Sequence, residues 1–288
     1  MTPARVTVVE VGPRDGLQNE ATIVPTAAKV RFIEMLAAAG LPVVEATSFV
    51  HPAAVPQLAD AGQVLPAITR RRGVRYPVLV PNMRGFERAL AAGADAVAVF
   101  TAASEQFAQA NIRMTIAQSL EAFSPVLTAA REHGMWTRGY VSTAFGCPYQ
   151  GAVEPAAVAE VAAALDALGC DQISIGDTIG VAVPADMPRV LGPVLERIET
   201  GRLALHLHDT GGRAIENAAA GLELGITTFD GAAGGLGGCP FAPGAPGNVA
   251  SESLVRWLHT QGFETGVDAD ALAAAGSWLR DQLASRPG

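Results

Sequence analysis

The sequence predicts a single (β/α)8 barrel of the TIM type, closed by extra C-terminal helices. Three observations point there. Eight short β-like runs alternate with longer alanine-rich helical stretches, no linker-like stretch interrupts them, and the length of 288 residues lies near the ~250 typical of this fold. A doubly wound parallel sheet is the alternative, and it requires that some of these strands be misread. One domain is expected over 1–288, with 249–288 forming the closing helices.

The eight runs are Val6–Val11, Val43–Thr47, Tyr76–Val80, Ala96–Phe100, Thr137–Ser142, Gln172–Ile175, Leu203–His208 and Thr227–Asp230. Between them lie helical stretches such as Thr26–Ala39, Ile116–Glu132, Pro155–Leu168 and Arg213–Leu224. Their punctuation fits: Gly40, Gly169 and Gly225 follow helix ends, and Pro155 suits a first helical position.

Composition narrows the class of partner. At 49% hydrophobic and 17% charged residues the chain has material for a large core, and a formal charge of −8 argues against a nucleic-acid partner. The one basic run, Arg70-Arg71-Arg72 with Arg75, is either a solvated loop or a contact for a phosphorylated substrate tail. Cys147, Cys170 and Cys239 form no C-x-x-C pair, which suggests a reducing compartment. No apolar run approaches the ~20 residues of a membrane span, and the first strand begins too early for a leader. A cytoplasmic bacterial protein is the expectation.

In a barrel of this kind chemistry gathers where strands pass into their helix-bound loops. The polar residues collect there: Gly12-Pro13-Arg14-Asp15-Gly16, Glu45 to Ser48, Pro81-Asn82, Gly176-Asp177-Thr178, His206 to Asp209, and the glycine-rich loop 234–248. In LALHLHD (203–209), His206 and His208 fall on one side of an extended strand. A hydrogen-bonded pair of core histidines is one reading and a metal site the other. Asp15, two strands away around a closed ring, is within reach of the same ion. Two imidazoles and a carboxylate suit Mg²⁺ or Mn²⁺, and also Zn²⁺. Asp209 either orients a ring or caps the next helix.

Schiff-base chemistry is nearly excluded, because the only lysine, Lys29, lies on the first predicted helix and is expected to be dispensable. Arg14 is placed to stabilise an enolate or thioester oxygen, or else to form a rim salt bridge with Glu45. Cys239 reads either as a buried thiol or as a general acid on a closing lid.

Several stretches resemble the 3-hydroxy-3-methylglutaryl-CoA lyases, metal-dependent TIM-barrel enzymes: VEVGPRDGLQNE (9–20), VVEATSFVHP (43–52), RGYVSTAFGCPYQG (138–151), ISIGDTIG (173–180), HLHDT (206–210) and GLGGCPFAPGAPGNVASE (235–252). The resemblance implies that Asp15, His206, His208 and Asn248 are metal ligands for Mg²⁺ or Mn²⁺. It further implies that Arg14 stabilises the enolate, that Glu45 organises Arg14 and the substrate carboxylate, that Asp177 is a further active-site acid, and that Cys239 is the lid thiol. Gln18, Ser48, Asn111, Tyr140 and Thr178 match positions lining the substrate pocket. The implied partner is an acyl-CoA thioester, the implied state a homodimer, and the implied reaction a retro-Claisen-type cleavage to acetyl-CoA and acetoacetate, as in leucine degradation and ketone body formation. His206 is a candidate for moving the hydroxyl proton. Gly211, Glu216 and DGAAGG (230–235) depart from the usual pattern and bear on the acyl chain accepted. The runners-up are a lyase for another 3-hydroxyacyl-CoA and an acetyl-CoA-condensing synthase. An amidohydrolase-type barrel would carry its H-x-H on the first strand, and a non-catalytic relative would have lost ligands or the lid cysteine.

Overall fold

The structure, a computed structural model, describes residues 4–237 and 247–285. Among the described residues nine parallel strands alternate with helices, except that the second and third follow each other directly. They are β1 (Thr7–Glu10), β2 (Val43–Val44), β3 (Thr47–Ser48), β4 (Val78–Leu79), β5 (Ala96–Ala102), β6 (Trp136–Ser142), β7 (Gln172–Asp177), β8 (Leu203–Leu207) and β9 (Thr228–Gly231). The main helices are α1 (Thr26–Ala38), α2 (Ala61–Ala67), α3 (Met83–Ala91), α4 (Glu105–Ile112), α5 (Ile116–Glu132), α6 (Pro155–Ala167), α7 (Asp186–Leu195), α8 (Ala214–Glu223), α9 (Ser251–Thr260) and α10 (Ala269–Ala284).

The strands form one curled sheet in the order β2-β1-β9-β8-β7-β6-β5-β4-β3. Each predicted run contains a strand, but the second is divided into β2 and β3 at Glu45 and Ala46. The backbone of this segment bonds to both neighbours. The Glu45 amide donates to Glu10 O at 2.8 Å, whereas the Val44 and Ala46 amides donate to Arg75 O and Pro77 O, each at 2.9 Å. The pieces at the two ends of the strand order are therefore adjacent in sequence.

Strands covered by helices read as nearly unbroken apolar runs, as AVAVFTA in β5 does. The helices return apolar residues to the sheet at helical spacing: Phe32, Ile33 and Leu36 from α1, Val158 and Leu165 from α6, and Val190, Leu191 and Val194 from α7 are all buried. Capping is local. Thr115 and Gln118 close a capping box on α5, and Ser104, Asn82 and Asp268 accept amides at the starts of α4, α3 and α10. Gly40 ends α1 at φ 98°, where an added Cβ would stand 2.3 Å from Gly266 O; only glycine combines that backbone with that approach.

The inner face of the sheet differs from its helix-covered face. A small apolar group of Leu79, Ala98 and Tyr140 with Phe100 is separate from the main core, and beside Tyr140 lie the buried Arg138, Asp230 and His206. Among the described residues no helix is long and apolar enough to cross a membrane.

Lys29 lies on α1, as expected, and is buried there: it is 2% exposed and its Nζ pairs with Asp60 Oδ1 at 2.6 Å. Arg70, Arg71 and Arg72 are exposed, as the solvated-loop reading of this basic run expects. They precede β4, at the end of the sheet opposite the polar loops, where Arg70 pairs with Asp95 at 2.7 Å and Arg75 stacks 4.5 Å over Trp136.

Candidate metal centre

Every residue of β8 is buried, and its alternation turns His206 to the inner face. His208 follows just past the strand end, its ring centroid 5.2 Å from that of His206. Asp15 arrives from β1 on an unusual turn. Gly12–Gly16 winds as a single π-type turn in which Val11 O accepts the amides of Arg14, Asp15 and Gly16 at 3.1, 2.7 and 3.2 Å. Because β1 pairs with β9 and β9 with β8, the turn lies two strands from the histidines.

Asp15, His206 and His208 each offer a ligand atom, all within 4.8 Å of one another. Asn248 joins them, donating Nδ2 to Asp15 Oδ2 at 2.9 Å and bridging His208 through the backbone. The donor set suits a divalent cation. Burial opposes ionisation of Asp15, but the adjacent Arg14 guanidinium, helped by the Asn248 amide, outweighs it and holds the carboxyl well below the usual range. Burial, then the neighbouring His206, push His208 down to about 4, so its imidazole is neutral, as a ligand must be. Its buried Nδ1 has no hydrogen-bond partner among the described residues. Two imidazoles, a carboxylate and an amide suit a cation that accepts mixed nitrogen and oxygen ligands.

Around this cluster runs a buried chain of charge-assisted hydrogen bonds. Arg14 donates Nη1 to Asp15 Oδ1 at 2.5 Å and Nε to Glu45 Oε2 at 2.7 Å. Tyr140 donates its hydroxyl to Glu45 Oε2 at 3.1 Å and accepts from Arg138 Nη1 at 3.1 Å. Arg138 Nη2 donates to Asp230 Oδ1 at 2.6 Å, and Asp230 Oδ2 meets His206 Nδ1 at 3.2 Å and the Ser174 hydroxyl at 2.9 Å. Burial resists the charge on Asp230, yet Arg138 prevails and lowers its pKa. Burial raises Glu45, against the pull of Arg14. Its Oε1 has no partner among the described residues.

The other predicted positions fall differently. Ser48 is buried on β3, held to Leu79 O at 3.4 Å. Thr178 accepts the Thr143 amide at 2.7 Å. Asp177 is fully buried and spends its oxygens on the Val181 and Ala182 amides at 3.1 and 2.9 Å, so it shapes the loop after β7. Gln18 is half-buried just beyond the turn. Asn111 is exposed on α4, and among the described residues no hydrogen bond joins it to the cluster. Asp209 takes the capping alternative, accepting the Ala214 amide at 2.9 Å. Cys239 lies outside the described residues. Among the departures, Glu216 is exposed on α8, and a Cβ on Gly211 would press on Gly180 O at 3.0 Å.

Sequence reasoning did not assign Arg138, Ser174, Asp230 or Glu10. The signal was a charged residue inside an otherwise buried strand, which is costly unless paired. Glu10 accepts the Gly12 and Ala233 amides at 2.8 and 2.9 Å and the Ser251 hydroxyl at 2.7 Å, which ties the loops after β1 and β9 to the start of α9.

Comparison with known proteins gives the same direction. The HMGL-like family model matches residues 5–278. A mitochondrial hydroxymethylglutaryl-CoA lyase of Gallus gallus is 50% identical over 284 residues, covering 99% of this chain and 95% of that one. The crystal structure of an HMG-CoA lyase from Brucella melitensis aligns with a TM-score of 0.95 at 52% identity, over 96% of this chain and 98% of that one. An HMG-CoA lyase from Acinetobacter baumannii, solved with coenzyme A and 3-methylmalate, aligns with a TM-score of 0.92 at 40% identity, over 97% of this chain and 92% of that one. With a family model spanning nearly its whole length and half its residues shared with such relatives, the chain belongs to the HMGL-like family.

Proposed function

We propose that this protein is a divalent-metal-dependent carbon–carbon lyase that cleaves 3-hydroxy-3-methylglutaryl-CoA to acetyl-CoA and acetoacetate. The observation that carries the reading is the convergence of Asp15, His206 and His208, with Arg14 bound to both Asp15 and Glu45, in a chain half-identical to HMG-CoA lyases over nearly its full length.

Asp15, His206 and His208 hold the cation, with the Asn248 side chain as a fourth ligand, and Mg²⁺ or Mn²⁺ is the expected ion. The cation supplies Lewis-acid chemistry at the substrate's oxygens. In the reaction the tertiary hydroxyl loses its proton and the adjacent C–C bond breaks. The carbinol carbon becomes the ketone of acetoacetate, and the bonding pair passes to the thioester's α-carbon, which is then protonated to give acetyl-CoA. Arg14 stabilises the oxyanion of the developing thioester enolate from a position fixed by Glu45. The free Glu45 Oε1 is available to substrate, and the Tyr140 hydroxyl holds the other oxygen in place. Two roles rest on resemblance alone: proton transfer by His206, and proton donation to the enolate carbon by Cys239. Resemblance likewise supports pocket roles for Gln18, Ser48, Asn111 and Thr178, an active-site role for Asp177, a homodimer, and a part in leucine degradation and ketone body formation. A cytoplasmic, bacterial setting suits the buried free thiols of Cys147 and Cys170.

We further infer one catalytic domain built as a closed (β/α)8 barrel. Supporting this are the bonds from Val44, Glu45 and Ala46 to both flanking strands.

The test is acetoacetate release from 3-hydroxy-3-methylglutaryl-CoA by chelator-treated protein, before and after Mg²⁺ or Mn²⁺ is restored. Activity that returns with the cation supports the reading. Its absence with that thioester, or turnover only with another 3-hydroxyacyl-CoA, overturns it.

A further inference from the structure

We propose that Asp230 is a positioning residue that sets the tautomer of His206, and that Arg138 dictates which way Asp230 can do so. The inference rests on the reading of His206 as a metal ligand and extends it to residues that do not touch the ion.

The argument is one of donors and acceptors. An ionised carboxylate only accepts. Asp230 Oδ2 lies 3.2 Å from His206 Nδ1, so that nitrogen carries the proton. In the neutral ring Nε2 then bears the lone pair, and Nε2 is the atom that faces Asp15, 3.9 Å from its Oδ2. The protein therefore presents a nitrogen ready to coordinate instead of an N–H that would have to be displaced. Metal-bound histidines commonly donate their second ring N–H to a carboxylate in this way.

What fixes Asp230 is equally specific. Both its side chain and that of Arg138 are fully shielded from solvent, so the pair has no water to fall back on. Arg138 occupies Oδ1 at 2.6 Å, and Ser174 donates to Oδ2 at 2.9 Å. The carboxylate is thus pinned at one oxygen by a cation that can only donate, leaving the other for Ser174 and His206.

This gives the variant Asp230→Asn an unusual prediction. A buried guanidinium requires an acceptor, so the asparagine must turn its carbonyl oxygen to Arg138. Its NH2 then stands where Oδ2 was, directed at His206 Nδ1 and at the Ser174 oxygen. The ring nitrogen has to become an acceptor, and its proton moves to Nε2. Shape and packing are preserved, but the coordinating lone pair is turned away from Asp15.

The experiment uses full-length protein labelled with ¹⁵N-histidine, kept metal-free at a pH above the imidazole range. Only five histidines contribute, and His206→Ala assigns the signal. In the parent, His206 is expected as a single neutral tautomer protonated on Nδ1. In Asp230→Asn it is expected protonated on Nε2, with Mn²⁺ affinity, read by equilibrium dialysis, lower by about 10- to 100-fold. Ser174→Ala keeps the ion pair and should retain the Nδ1 tautomer, with affinity lower by about 2- to 10-fold. An Nε2-protonated or doubly protonated His206 in the parent overturns the proposal even if Asp230→Asn does not fold. So does parental Mn²⁺ affinity in Asp230→Asn when His206→Ala has lost it. Parental affinity in His206→Ala itself would overturn the ligand reading as well, so the two failures are told apart.

Discussion

Arg14 donates Nε to Glu45 Oε2 across 2.7 Å, joining the turn after β1 to the middle of the divided second strand. The bond matters because Arg14 also reaches Asp15 and so stands fixed beside the candidate ion site. A planar fork is needed to meet both acceptors at once. Arg14→Lys should lower kcat by about 10²- to 10³-fold, with Mn²⁺ affinity within a few-fold of the parent. Steady-state kinetics on variant protein of verified metal content check this, and a near-parental kcat removes Arg14 from oxyanion stabilisation.

One divalent ion per chain is expected from the Asp15–His206–His208 cluster. His208→Ala removes a neutral ligand outright. It should weaken binding by more than the ~10- to 100-fold typical of losing an outer partner and reduce acetoacetate release in parallel. Elemental analysis that finds full occupancy and normal turnover in this variant refutes the assignment.

Stability should fall as pH rises through the neutral range because of Glu10. Burial pushes this carboxyl up from 4.5 to about 7, against the pull of Ser251 and the Ala233 and Gly12 amides. Between those values the unfolded chain has released the proton and the native state still holds it. The contribution is therefore complete below about 4.5 and lost as pH rises through about 7; it amounts to a few kcal/mol at most. Glu10→Gln imitates the protonated form. Urea titrations from pH 5 to 8 should show the parent losing stability relative to this variant, and parallel curves would contradict the account.

Lys29, paired with Asp60 in the protein interior, is expected to matter for stability and not for turnover. Removing one partner of a buried pair typically costs about 3–5 kcal/mol, so Lys29→Ala should lower the denaturation midpoint clearly. The folded fraction should keep the parental kcat, and borohydride with substrate should trap no adduct. Covalent trapping at Lys29 would contradict the placement of its amine on Asp60.

The strands and the meeting of Asp15, His206 and His208 were legible because their signals are local. Alternation put His206 and His208 on one face, and eight spaced runs put Asp15 two strands away. The split at Glu45 and Ala46 was not legible, since these residues bond to backbone distant in sequence, Glu45 to Glu10 and Ala46 to Pro77. Arg138 and Asp230 escaped notice for a related reason: each looks like a misplaced charge until the sheet brings them to 2.6 Å. Asn111 shows the reverse. The resemblance offered it as a pocket residue, and its exposed place on α4 adds no contact that supports the role.

Arg138 and its partner are 92 residues apart in sequence, and Tyr140 and Glu45 are 95 apart. During synthesis the guanidinium of β6 therefore emerges long before the carboxylate of β9 that must neutralise it. Burying it early would strand a charge, so the inner face cannot dry until the last strand docks. Site assembly is therefore expected to wait on the non-local docking of β9. A chain that pauses before β9 should remain open and accessible to proteases around β6, and should bind cation only after that strand is in place.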